Sequence, residues 1–123
     1  MDHTWTVEDH LEGKDPAHVA LYRQVEAVIL AQGPVAVSVS KTTITFKGRR
    51  RGFAGARPTR TGVRGYLDLM RTVTDPRITN VTPYTGRLFV HQYVLHSPDD
   101  VDETFEGWVR EAYRVGEGDH LLA

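Results

Sequence analysis

Gly33-Pro34-Val35-Ala36-Val37-Ser38-Val39-Ser40-Lys41-Thr42-Thr43-Ile44-Thr45-Phe46-Lys47 is where the chain changes its hydrophobic period. Val35, Val37 and Val39 alternate with Ala36, Ser38 and Ser40, and beyond Lys41-Thr42, Ile44 and Phe46 alternate with Thr43, Thr45 and Lys47. A period of two places successive side chains on opposite faces of a strand, and the polar Ser40-Lys41-Thr42 between two such runs predicts a hairpin. Just upstream the spacing is helical. Leu21, Val25, Val28 and Ile29 fall at i, i+4, i+7 and i+8, one apolar stripe. Asp15-Pro16 supplies an N-cap and a first helical residue, and Gly33-Pro34 stops the helix. A helix that feeds a hairpin points to an α+β fold with an antiparallel sheet.

Working outward, Thr6-Val7-Glu8-Asp9 is a capping-box pattern, and Gly13 closes a short helix. Downstream, a third strand is expected near Gly52 to Ala56. A fourth has Val63, Gly65, Leu67 and Leu69 on one face and Arg64, Tyr66, Asp68 and Met70 on the other. Thr74-Asp75-Pro76 breaks the pattern. Arg87 to His96 is apolar on both faces, which predicts a central strand covered on both sides or one lining a cleft. Ser97-Pro98-Asp99-Asp100 reads as a helix start, with Val101, Phe105, Trp108 and Ala112 on one face and Gly116 at the end. The expected fold is an N-terminal helix, an antiparallel sheet of about five strands and a C-terminal helix packed on the sheet. Residues 1–123 form one domain in this reading, with 1–13 a short helix and arm and 117–123 a loose tail.

The 123 residues include no cysteine, which excludes disulfides, thiolate nucleophiles and cysteine-held metals and suits a reducing cytoplasm. The start, Met1-Asp2-His3-Thr4-Trp5, lacks a secretory pattern. The longest apolar stretch, Val25 to Val39, is broken by Gln32, Gly33 and Pro34, well short of the ~20 residues that span a bilayer. A cytoplasmic location and no membrane partner are therefore expected.

Charge is unevenly placed. Residues 1–26 carry a net −4, residues 27–96 a net +9 and residues 97–123 a net −6. Lys41, Lys47, Arg49, Arg50, Arg51, Arg57, Arg60, Arg64 and Arg71 crowd the middle, with Asp68 the one acid among them. Arginines interleaved with Phe53 and Tyr66 on a sheet suit phosphate contacts and base stacking. The pI near 6.6 leaves open that the acidic helices simply neutralise the sheet.

Common catalytic and phosphate-loop motifs are absent. Lys41 and Thr42 sit at the predicted hairpin tip, where an ammonium and a hydroxyl together can hold a phosphate or carboxylate. His91 lies between Phe89 and Tyr93 on one strand face, three rings suited to stacking a planar ligand, with His91 a candidate acid/base. The opposing reading is a hydrogen-bonded core histidine. His96 is on the other strand parity and reads as a cap or surface residue. His3, His10 and His18 fall on separate elements, so neither a metal site nor a cofactor is expected.

The segments Trp5-Thr6-Val7-Glu8-Asp9-His10-Leu11, Leu21-Tyr22, Gly33-Pro34-Val35, Ser40-Lys41-Thr42, Ile44-Thr45-Phe46 and Phe53-Ala54 carry a resemblance, together with Ser97-Pro98-Asp99-Asp100-Val101-Asp102 and Trp108-Val109-Arg110-Glu111-Ala112-Tyr113. Over about residues 5–116 the chain resembles an uncharacterised bacterial domain-of-unknown-function family. That family is sometimes labelled a predicted transport protein and is also found fused to nuclease-like regions. The resemblance implies the fold and no reaction.

Two readings of function follow. The first is a non-enzymatic binding module that presents the basic sheet and hairpin to nucleic acid, a nucleotide or an acidic protein surface. Its ligand-binding candidates are Lys41, Thr42, Arg49, Arg51, Arg64, Tyr66, Phe89, His91 and Tyr93. The second is a small enzyme or small-molecule binder with His91, Lys41 and Tyr93 around one cleft. A structural homodimerisation domain is a third.

Overall fold

The structure, a computed structural model, describes residues 4–121. In chain order the elements are α1 (Val7–Leu11), α2 (Pro16–Leu30), β1 (Ala36–Val39), β2 (Ile44–Lys47), β3 (Gly52–Pro58), β4 (Val63–Leu69), β5 (Ile78–Thr85), β6 (Leu88–Leu95) and α3 (Glu103–Gly116). The strands pair antiparallel in one sheet of order β1-β2-β3-β4-β6-β5. This is the expected α+β layout with one strand more than the alternation revealed.

Local chemistry explains the helix boundaries. Thr6 Oγ1 accepts from the Asp9 N–H while Asp9 Oδ2 accepts from the Thr6 N–H, completing the capping box. Gly13, at φ +74°, makes the left-handed turn into the next element. Asp15 Oδ1 then accepts from the Ala17 N–H at 2.8 Å, and Pro16 occupies the first turn of α2. The third helix departs from expectation. Pro98–Asp100 forms a separate 3-10 turn in which Asp100 Oδ2 takes the N–H groups of His96 and Ser97, and Asp102 caps α3 proper.

Helices α2 and α3 cover one face of the sheet. Leu21, Val25 and Ile29 of α2 and Phe105, Trp108, Val109 and Ala112 of α3 pack on Ile44, Phe46, Ala54, Ala56, Val63, Leu67, Leu69, Tyr93 and Leu95. A bulge sets the register of this face. Phe46 pairs with Ala54 and Lys47 with Gly52, so Phe53 is the extra residue and turns inward beside Ala54. Its ring meets Tyr113 edge-on at 5.4 Å. A Cβ on Gly116 would lie 2.5 Å from that ring, so only glycine fits at this point of α3.

The segment beyond α3 is tied down where a loose tail was expected. Glu117 accepts from the Arg49 N–H and Nε, Gly116 O accepts from the Arg50 N–H, and His120 O accepts from Arg87. Residues 1–3, His3 among them, and 122–123 lie outside the described residues.

Candidate functional site

The register sorts the candidate residues between two faces. His91 pairs with Leu67 and Phe89 with Leu69, so both project to the helix-covered side. His91 is fully buried. Its Nδ1 lies 3.0 Å from Phe89 O, and its Nε2 accepts from the Val73 N–H at 3.0 Å. This is the neutral imidazole with both nitrogens engaged. Burial pushes its pKa down, partly opposed by the Phe89 carbonyl. Tyr93 is equally enclosed, its hydroxyl donating to Gly55 O at 2.8 Å through the gap left by Gly65. Phe89, His91 and Tyr93 therefore do not form an exposed stacking face, and no described hollow is lined by both His91 and Lys41. The expected cleft around those two residues is corrected accordingly, because β6 turns this parity toward α3.

Among the described residues, neither α2 nor α3 covers the other sheet face. Its strands curve into a trough, so that Thr42 and Thr43 of the β1–β2 turn and Thr79 and Gln92 from β5 and β6 line one hollow of about 270 Å³. That volume lies just below the roughly 300–1,000 Å³ of most small-molecule cavities. Tyr66 occupies the floor. A Cβ on Gly55 would lie 2.6 Å and 2.8 Å from its ring carbons Cε1 and Cδ1. The ring thus lies across the β3 backbone where Gly55 has no side chain. Burial first, then nearby Asp68, raises the Tyr66 phenol pKa.

Arg57 and Arg64 stand opposite each other at the trough's end. Both are exposed and line the Tyr66 hollow and also a second one of about 340 Å³, which Lys14 and Arg60 complete beside the β3–β4 turn. Thr59 O and Thr61 O of that turn hold the rings of His18 and His96 through Nδ1, and His10 Nε2 contacts Ser40 O. These histidines are thereby spent on backbone carbonyls.

The acidic ends neutralise only part of the basic middle. Arg49 pairs with Glu117, Arg71 with Glu111, and Arg77 with Asp75 and Asp102. Arg51 pairs with buried Asp68 at 2.7 Å and lies over the Tyr84 ring. Burial outweighs Arg51 and raises the Asp68 carboxyl above its usual range. Among the described residues, Lys14, Lys41, Lys47, Arg57, Arg60 and Arg64 have no carboxylate in ion-pair reach. Of the sequence candidates, Thr42, Arg64 and Tyr66 meet in the trough with Tyr93 beneath it, and Lys41 sits on the adjoining turn. Arg49 and Arg51 are committed to acids. Arg57, Arg60 and Lys14 are the additions, and only strand register could have singled out Arg57.

Fold and site together define an α+β domain with a helix-backed sheet and an open, cation-rimmed concave face. A family model for a domain of unknown function (DUF5655) matches residues 7–116, and the chain belongs to that family. No curated protein and no solved structure matches it. No helix among the described residues is long and apolar enough to cross a membrane.

Proposed function

We propose that the domain is a non-catalytic module that binds a phosphate-bearing anion in the open trough of its sheet. The observation that carries this reading is the exposed Arg57–Arg64 pair, two like charges on directly opposed strand positions with no carboxylate among the described residues to compensate them. Such a pair costs a sheet stability, whereas a bound phosphate would satisfy both guanidinium forks with charge-assisted hydrogen bonds. The Thr42 hydroxyl adds a neutral donor in the same hollow. A catalytic reading lacks its acid/base, since both His91 nitrogens are engaged. We place the module in the cytoplasm, in keeping with a chain free of cysteine. The resemblance to bacterial domains that accompany nuclease-like regions suits a phosphate-rich partner.

Calorimetric titration with pyrophosphate and nucleoside triphosphates at about 50 mM salt tests the proposal, because such binding weakens as salt rises. The double variant Arg57→Ala/Arg64→Ala should bind at least ~10-fold more weakly, the loss of about one charged hydrogen bond. Arg49→Ala, which removes a cation already paired with Glu117, should bind like the parent. Equal losses in both variants, or none in the first, would remove the trough from consideration.

A further inference from the structure

Resting on that reading, we infer that the ligand is a single-stranded nucleic acid laid along the trough, one base on the Tyr66 ring and successive phosphates on Arg57/Arg64 and on Lys14/Arg60. Three independent features of the face converge on this. First, the aromatic floor is built for contact. Glycine at 55, with Gly52 beyond it, leaves β3 bare where the Tyr66 ring lies, and the ring is partly buried and lines the hollow. An aromatic ring in a cationic groove is the standard platform for an unpaired base, because every base offers a π-face. A mineral anion makes no use of such a floor.

Second, the spacing fits. Gly55 pairs with Tyr66 and Arg57 with Arg64, so the arginines stand two residues farther along the strands, about 7 Å away. That span is comparable with the distance from a base to its own phosphate. Third, the two hollows adjoin at Arg57 and Arg64, which line both. The second holds Lys14 and Arg60 and no aromatic ring, the composition expected where a backbone phosphate rests without base contact. A duplex, whose bases are stacked inside, cannot deliver a base to Tyr66 within the curve of the sheet. A lone nucleotide leaves Lys14 and Arg60 without an anion.

Fluorescence anisotropy with labelled oligo-dT of about two, four and eight nucleotides tests the inference, alongside a duplex, an abasic strand of equal length, and inorganic polyphosphate. Oligo-dT should bind more tightly than the duplex and the abasic strand. Tyr66→Leu should weaken oligo-dT by roughly 5- to 100-fold, the range for losing one stacked base, and leave the abasic strand within about twofold. Tyr66→Phe, which keeps a ring for the base, should lose less affinity than Tyr66→Leu. Lys14→Ala/Arg60→Ala, far from the core, should flatten the salt dependence by about 0.7 for each phosphate left without its cation. If polyphosphate, mononucleotides or the abasic strand bind as tightly as oligo-dT and ignore Tyr66→Leu, this inference fails and the anion-binding module stands. If the duplex binds at least as tightly, the single-strand assignment is wrong. If no anion binds the parent protein, both readings fall together.

Discussion

Arg57 and Arg64 face one another across β3 and β4, both exposed and both without an acid partner among the described residues. Like charges at opposed positions destabilise an antiparallel pair by roughly 0.2–1 kcal/mol, and threonine suits a strand better than most polar residues. Arg64→Thr is therefore expected to raise the thermal midpoint by a few degrees while weakening anion binding ~10-fold or more. Thermal melts and titrations on one preparation read both effects. A variant that loses stability and keeps its affinity would mark Arg64 as structural.

Gly55 holds the floor of the trough open. The Cβ of Gly55→Ala would meet the Tyr66 ring at 2.6 Å, closer than side-chain carbons pack. The ring must lift, at a cost of ~1–3 kcal/mol, and ligand binding should fall with it. Gly52→Ala faces a milder 3.1 Å contact with the Thr45 methyl and should lose less on both counts. Urea denaturation and anisotropy measure the pair, and equal effects from the two substitutions would contradict this account of Tyr66.

His91 is the buried group whose loss should hurt the fold most plainly. His91→Ala leaves a cavity and orphans the Val73 N–H and the Phe89 carbonyl, for a cost of roughly 2–4 kcal/mol. Its folded pKa is lowered, chiefly by burial. The stability it contributes is thus present above its unfolded pKa of about 6.5 and is lost as pH falls through the folded value. Urea midpoints compared between about pH 8 and pH 5 should fall for the parent and fall less for His91→Phe. Parallel pH curves would show that His91 is not held neutral.

Asp68 has the opposite sign. Burial raises its folded pKa despite Arg51, so the folded state binds its proton more tightly than the unfolded one. Its contribution is fully present below the unfolded pKa of about 3.9 and is lost as pH rises through the folded value. Relative to Asp68→Asn, the parent should gain stability on acidification within that window. Denaturation of both proteins across the acid range checks this. A parent that loses ground to Asp68→Asn as pH falls would mean that Arg51 holds the carboxyl down.

The helices and the first hairpin were legible because caps and periodicity are local. Thr6 with Asp9, Asp15 with Pro16, and the alternation through Val39 and Phe46 all appear in the structure. Strand β5 was not legible. It is an edge strand, largely exposed, with bulges at Ile78/Asn80 and Pro83/Thr85 that destroy any period of two, and with Pro83 in its ladder. The faces of β6 were ambiguous for a related reason: apolar residues occupy both parities, and only pairing with Leu67 and Leu69 shows which one α3 covers. The site was half legible. Arg64 and Tyr66 stood out on β4, but separating the free arginines from those spent on Glu117, Asp68 and Glu111 requires contacts across 68, 17 and 40 residues of chain.

The most direct test of the trough is amide chemical-shift mapping of the nitrogen-labelled protein during titration with oligo-dT at low salt. Shifts confined to Thr42–Thr43, Gly55–Arg57, Thr59–Tyr66, Thr79 and Gln92 would place the ligand on the open face between the two hollows. Shifts gathered instead around Arg49, Arg71 or Arg77, or around His91 beneath the helices, would contradict the account.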